Sequence, residues 1–151
     1  MKLNLKTKIP PPLITLICIL IIYFFEKEFI FFEDWNIYIS GFFLFWGLIV
    51  IAFAVFKFAK TKTTVDPTKP SKTSSLVISG IYRITRNPMY LGMLFLIISF
   101  TFYKLSLIGA IVIPSFIFYI NKYQIEPEEY EMRKKFGENF EDYCKKVDRW
   151  I

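Results

Sequence analysis

The sequence predicts an all-α integral membrane protein: about four transmembrane helices and a cytoplasmic C-terminal amphipathic segment, forming a single domain over residues 1–151. Three observations lead there. The chain is 54% hydrophobic and 20% aromatic with a mean hydropathy of +0.42, above the apolar share of an ordinary soluble domain. Its apolar residues gather into long runs, and its basic residues gather beside alternate ends of those runs.

A helix needs about 20 apolar residues to cross the hydrocarbon. Leu13 to Phe25 is apolar apart from Thr15 and Tyr23 and places a first span near 11–25. Its basic start resembles a signal peptide, but no small-residue cleavage site follows Phe25 and charged residues come next, which predicts a retained anchor. Ile37 to Phe56 places a second span near 37–57. A connection over 60–86 follows, rich in Thr, Ser, Lys and Pro from Thr61 to Ser75. Met89 to Tyr103 and Leu105 to Ile120 are separated by Lys104 alone. A lysine in mid-membrane is costly, so a tight hairpin with Lys104 at its tip is expected, with spans near 88–103 and 105–122.

The tail, 126–151, reads as two helices. Glu126, Glu128, Glu129 and Glu131 crowd the start of one beginning near Pro127, where the helix dipole favours carboxylates, and Gly137 reads as its stop. In the next, Phe140, Tyr143, Cys144 and Val147 form one apolar stripe. Taken alone, such a pair lies on the membrane surface, with Tyr130, Met132 and Phe136 dipping in.

Of the Lys and Arg residues, three lie at the start, seven from Lys57 to Arg86 and seven from Lys122 onward, against only Lys27 and Lys104 in the other two loops. Both termini and the middle connection are therefore expected in the cytoplasm. The Lys, Ile and Phe richness suits an AT-rich microbial genome, hence a bacterial or archaeal cytoplasmic membrane. Topology and anionic headgroups account for the net charge of +6, so no nucleic-acid partner is implied. The chain has no histidine, its cysteines Cys18 and Cys144 lack metal-pair spacing, and its glycines form no phosphate loop. Zinc, haem-histidine, His-activated nucleophile and soluble nucleotide-fold chemistries are set aside, and no metal is expected.

What remains is the stretch GIYRITRNPMYLG, Gly80 to Gly92. Asn87 followed by Pro88 is a helix-start signal, with Asn able to accept from orphan N–H groups and Pro suited to the first helical position. Arg83 and Arg86 lie close by. Free N–H groups, a partial positive charge and two arginines at the membrane surface suit an anion, although a capped helix obeying the positive-inside pattern accounts for the same residues.

Together, SGIYRITRNPMYLG, the apolar hairpin and EPEEYEMRKKFGENFEDYCKKVDRW resemble the isoprenylcysteine carboxyl methyltransferase and phospholipid methyltransferase superfamily of membrane enzymes. The likeness runs from Ser74 to Trp150 with every block in order. It implies S-adenosylmethionine as methyl donor, bound at the cytoplasmic face, and a lipid or lipophilic small molecule as acceptor. By position it implies a cofactor-binding set of Ser74, Ser75, Leu76, Val77, Tyr82, Arg86, Asn87, Pro88, Met89, Tyr90 and Glu128. The N–H groups of the Asn87–Pro88 cap would receive the cofactor carboxylate, Glu128 would accept from ribose hydroxyls or an amino group, and Tyr82 or Tyr90 would lie against the adenine or the sulfonium. Asn87 stands where the family more often has His, and Gln124 where its carboxyl methyltransferases carry a substrate-contacting Arg.

Methyl transfer from a sulfonium is an in-line displacement that chiefly needs a positioned acceptor and exclusion of water. Glu129 or Tyr90 would take a proton from an amine acceptor, and Arg133 or Lys134 would fix an anionic one. An NADPH-dependent membrane reductase of related architecture and a non-catalytic scaffold or lipid-binding protein are the alternative readings.

Overall fold

The computed structural model of the protein describes residues 9–25, 35–60 and 76–151, and among them there are helices and no strands. Ser74 and Ser75, part of the expected cofactor set, lie outside the described residues, as does most of the middle connection.

Helix α1, Pro11–Phe25, starts on a run of prolines that pre-set the backbone for a first turn; Leu13 N–H donates to the Pro10 carbonyl at 2.9 Å. Ile14, Thr15, Cys18 and Ile22 face inward. Leu16, Ile17, Leu20 and Phe24 face outward and exposed. Helix α2, Trp35–Lys60, is likewise apolar all round, with Ser40, Gly47, Val50 and Ala54 buried in a narrow stripe. So large an apolar exterior is at home in lipid rather than water.

Among the described residues, one helix is long and apolar enough to cross a membrane by itself: α2, over the 23 residues Trp35–Lys57 at mean hydropathy 2.5. The other apolar helices fall short of the roughly 20 residues of a full span, and only α4 is shorter than the sequence predicts. Helix α1 has 15 residues, α3 (Pro88–Lys104) has 17 and α4 (Gly109–Ile120) has 12.

Helices α2 and α3 meet backbone to backbone. A Cβ on Gly92 would lie 2.8 Å from the Gly47 carbonyl oxygen and 2.5 Å from Ile51 Cγ1. This is the small-residue approach by which apolar helices associate in lipid. Ser99 Oγ donates to the Ser40 carbonyl at 2.9 Å along the same seam, and Asn36 Nδ2 reaches the Phe102 carbonyl at 3.3 Å where α3 ends.

A tight turn follows Lys104. Leu105 takes a left-handed conformation (φ 49°), Ser106 N–H bonds back to the Thr101 carbonyl, and Gly109 packs onto Thr101 with no room for a Cβ. The Lys104 ammonium lies 5.8 Å from the Tyr23 ring centroid. The second arm begins at Gly109 rather than at Leu105, because residues 105–108 are used to reverse the chain.

The tail departs from expectation at its start. Helix α4 continues without a break through a wide π turn, Asn121–Ile125, into α5, Glu126–Phe136. The glutamates therefore do not sit at a free helix N-terminus. Pro127 cannot donate to the preceding turn and its ring crowds the carbonyl there, and a π turn accommodates both. Gly137 does stop α5, at φ 51° and ψ −126°, and α6, Glu138–Lys146, folds back.

Ile14, Cys18 and Ile22 of α1, Tyr90, Leu94 and Ile97 of α3, and Val112, Phe116, Ile120 and Ile125 form the main core. A smaller cluster of Ala54, Val77 and Tyr82 joins α2 to the segment ahead of α3.

Candidate functional site

Three stretches converge at the start of α3: the 3-10 turn Gly80–Arg83 with the residues on either side of it, the first turns of α5, and α6 with the C-terminal residues. Gly80, at φ 68°, lets the chain turn into the 3-10 segment. Tyr82 is buried there, and its carbonyl accepts from the Tyr143 hydroxyl at 2.6 Å. That bond docks α6 onto the turn.

Pro88 occupies the first helical position as expected, but the Asn87 side chain does not cap α3. Its Nδ2 donates instead to the Arg149 carbonyl at 2.9 Å, and its own N–H goes to Thr85 Oγ1 at 3.1 Å. Among the described residues no side chain caps the first turn of α3. The cap amide of Asn87 is thus engaged, Pro88 has none, and Met89 and Tyr90 supply the N–H groups that follow.

A pocket of about 110 Å³ opens beside this turn, with room for several water-sized groups. Leu76, Val77, Tyr82, Arg86, Asn87 and Glu128, all in the sequence-derived cofactor set, line it together. Pro88 is buried behind it and Met89 packs on the Val77–Tyr82 cluster. Tyr90 takes part through its hydroxyl, which donates to Glu128 Oε1 at 2.5 Å. Glu129 also lines the pocket, whereas Arg133 lies half exposed to one side, its Nε on Glu141 at 2.7 Å and its guanidinium 5.9 Å from the Phe140 ring centroid.

Two features define the electrostatics. Burial pushes the Glu128 carboxyl up to about 8; the Tyr90 hydrogen bond pulls the other way and neighbouring Glu129 adds to the rise. Burial likewise holds the phenols of Tyr82 and Tyr143 above their ordinary range. Glu129, in contrast, is encircled by cations. Arg149 grips it fork to fork, Nε to Oε1 at 2.9 Å and Nη2 to Oε2 at 2.8 Å, Arg86 Nη2 stands 3.1 Å from Oε1, and Arg133 Nη2 stands 3.8 Å from Oε2.

Arg86 is left with capacity to spare. Its Nε and Nη1 are buried and have no hydrogen-bond partner among the described residues. The Cys144 thiol, raised by burial and lowered by Arg86, is nearby, but a thiol is a weak acceptor. Among the described residues, then, Arg86 Nε and Nη1 have only the Cys144 thiol near them; such donors can take an anion, and the Glu128 carboxyl, once ionised, can face a cation.

Comparison with known proteins gives a family. The family model described as "Phospholipid methyltransferase" matches residues 36–139. The chain belongs to the phospholipid methyltransferase family. An uncharacterized protein of Haemophilus influenzae is 36% identical over 66 residues, which cover 42% of this chain and 100% of that protein. No solved structure matches the chain. Membership of the phospholipid methyltransferase family supports methyltransferase activity in general and a place at the membrane.

Sequence reasoning did not reach all of the site. Phe140 and Tyr143 were legible only as an apolar stripe, yet with Met132 they wall the pocket. Arg149, absent from the expected set, supplies the fork on Glu129 and the carbonyl that Asn87 and Thr85 bind. The one signal available was a charged Asp-Arg pair embedded between Val147 and Trp150 at the end of an apolar stripe.

Proposed function

We propose that the protein transfers the methyl group of S-adenosylmethionine to a lipid or other membrane-soluble acceptor bearing a carboxylate, amine or similar group. The observation that carries this reading is Arg86, whose buried Nε and Nη1 have no nitrogen or oxygen partner among the described residues, lining one pocket with Glu128. The residues fit the cofactor's amino-acid end. Arg86 would hold its carboxylate and Glu128, ionising, would face its ammonium, while the aromatic faces of Tyr82, Phe140 and Tyr143 offer surfaces for a cation or a purine. When bound, the cofactor supplies an electrophilic methyl group.

The chain's own work is to hold and to exclude. The Tyr90 hydroxyl donates to Glu128 and fixes its position; with its proton committed there, it serves to orient that carboxyl. Glu129 has both oxygens engaged by guanidinium groups and serves position better than proton transfer. Arg133 would have to leave Glu141 to fix an anionic acceptor. In the same reading the four apolar helices form a membrane-embedded bundle with the α3–α4 turn outside and both termini in the cytoplasm, as the Lys and Arg distribution supports. The family match favours this over a reductase or a scaffold.

Calorimetric titration of detergent-purified protein with S-adenosylmethionine and S-adenosylhomocysteine tests the site. Binding that is abolished in a folded Glu128→Ala variant is the expected result. Unchanged binding in that variant would remove Glu128 from the site, and no binding to well-folded wild type would overturn the cofactor assignment.

A further inference from the structure

Residues 148–150 are bound to the site at every step. Asp148 O accepts from Arg86 N–H at 2.9 Å, and Arg149 O accepts from Thr85 Oγ1 at 3.0 Å and Asn87 Nδ2 at 2.9 Å. Trp150 Nε1 donates to Asn121 Oδ1 at 3.2 Å, on the π turn. The C-terminal strap thus ties the start of α3 to the α4–α5 junction and delivers one side chain, Arg149, to Glu129.

That delivery matters because Glu129 is 7% exposed at its side chain and needs an answering charge. Three guanidinium groups surround it, of which Arg149 at 2.8 Å and Arg86 at 3.1 Å stand nearest its oxygens and Arg133 stands at 3.8 Å. Arg149 takes both oxygens, leaving Arg86 to touch only Oε1 through a single nitrogen. Without Arg149, Oε2 would be left with Arg133 Nη2 at 3.8 Å, on a half-exposed side chain whose Nε is on Glu141, and with Arg86, already on Oε1 and far more deeply buried. Arg86 would then turn its fork onto Glu129 and lose the donors that point elsewhere.

We infer that Arg149 is a positioning residue: by saturating Glu129 it keeps Arg86 free to receive the carboxylate of the cofactor's amino-acid end. The inference rests on the cofactor site proposed above and adds a residue that acts through two others.

The test compares two ligands on the full-length protein in detergent. S-Adenosylhomocysteine carries the carboxylate; 5′-methylthioadenosine presents the same nucleoside thioether without the amino-acid end. Arg149→Gln should lose about tenfold or more in affinity for the first, the scale of a charge-assisted hydrogen bond, and change within about twofold for the second. Arg149→Lys, which keeps the charge without the fork, should fall between. The double variant Arg149→Gln/Glu129→Gln removes the anion that would capture Arg86 and should recover most of the lost affinity. Equal losses for both ligands, or no recovery in the double variant, would reduce Arg149 to a structural strap. Undiminished affinity in Arg149→Gln would overturn its role outright. Wild-type protein that binds neither ligand would instead sink the cofactor reading, and the inference with it.

Discussion

Glu128 is a carboxyl group placed where its charged form is costly, and the sign of that cost makes a prediction. Its ordinary value of 4.5 rises to about 8 in the folded chain, so the fold holds this proton more tightly than the unfolded chain does. The linked stabilisation is fully present below 4.5 and is lost as pH climbs to about 8. A ligand that needs the carboxylate works against this proton. Affinity for S-adenosylmethionine should therefore rise between pH 6 and 8, by at most about tenfold per unit, and level off above. Titrations of Glu128→Gln beside wild type check it, since the variant should bind weakly and lack the Glu128-linked rise; identical slopes would disprove the linkage. Glu128, Arg86 and Tyr82 were legible in the sequence because family resemblance marks positions. The Asn87 cap was misjudged because propensity sees only neighbours in sequence, whereas its carboxamide is claimed by a carbonyl 62 residues away. Arg149 was invisible for the same reason.

Among the elements, the hairpin was legible and the helix ends were not. A lone Lys104 between two apolar runs can lie only at a turn, and the chain reverses right after it. Glu126–Glu131 read as a helix start because Pro127 and clustered acids usually mark one; the π turn absorbs the proline and carries the helix through, a tertiary outcome that no local rule contains. The α2–α3 seam was likewise hidden, since Gly47 and Gly92 sit in separate runs and only their meeting gives them meaning. That meeting is testable. Gly92→Ala puts a methyl group against the Gly47 carbonyl and Ile51, and a backbone atom cannot step aside. It should cost about 1 to 3 kcal/mol. Gly41→Ala, on the same α2 helix with nothing within 4 Å, should be neutral or slightly stabilising. Thermal unfolding in detergent separates them, and equal midpoints would remove the close approach.

At the scale of the whole molecule, three of the four apolar helices are short, and their length alone does not say which side of a membrane each end meets. What speaks to it is the placement of charge against the packing. The candidate site, the tail helices and the strap occupy one end of the bundle, while Lys104 with its Tyr23 contact caps the α3–α4 turn at the other. If the bundle spans the bilayer as proposed, these two ends are on opposite sides, and the site opens where cytoplasmic cofactor and membrane lipid can meet. In a background with Cys18 and Cys144 replaced by serine, Lys104→Cys should react with a membrane-impermeant maleimide on intact cells. Glu138→Cys, exposed at the start of α6, should react only after permeabilisation. Labelling of both without permeabilisation would place the site outside the cytoplasm, where S-adenosylmethionine is not at hand. Protection of both would leave the α3–α4 pair dipping into the membrane from the cytoplasmic side, with α2 as the chain's full crossing.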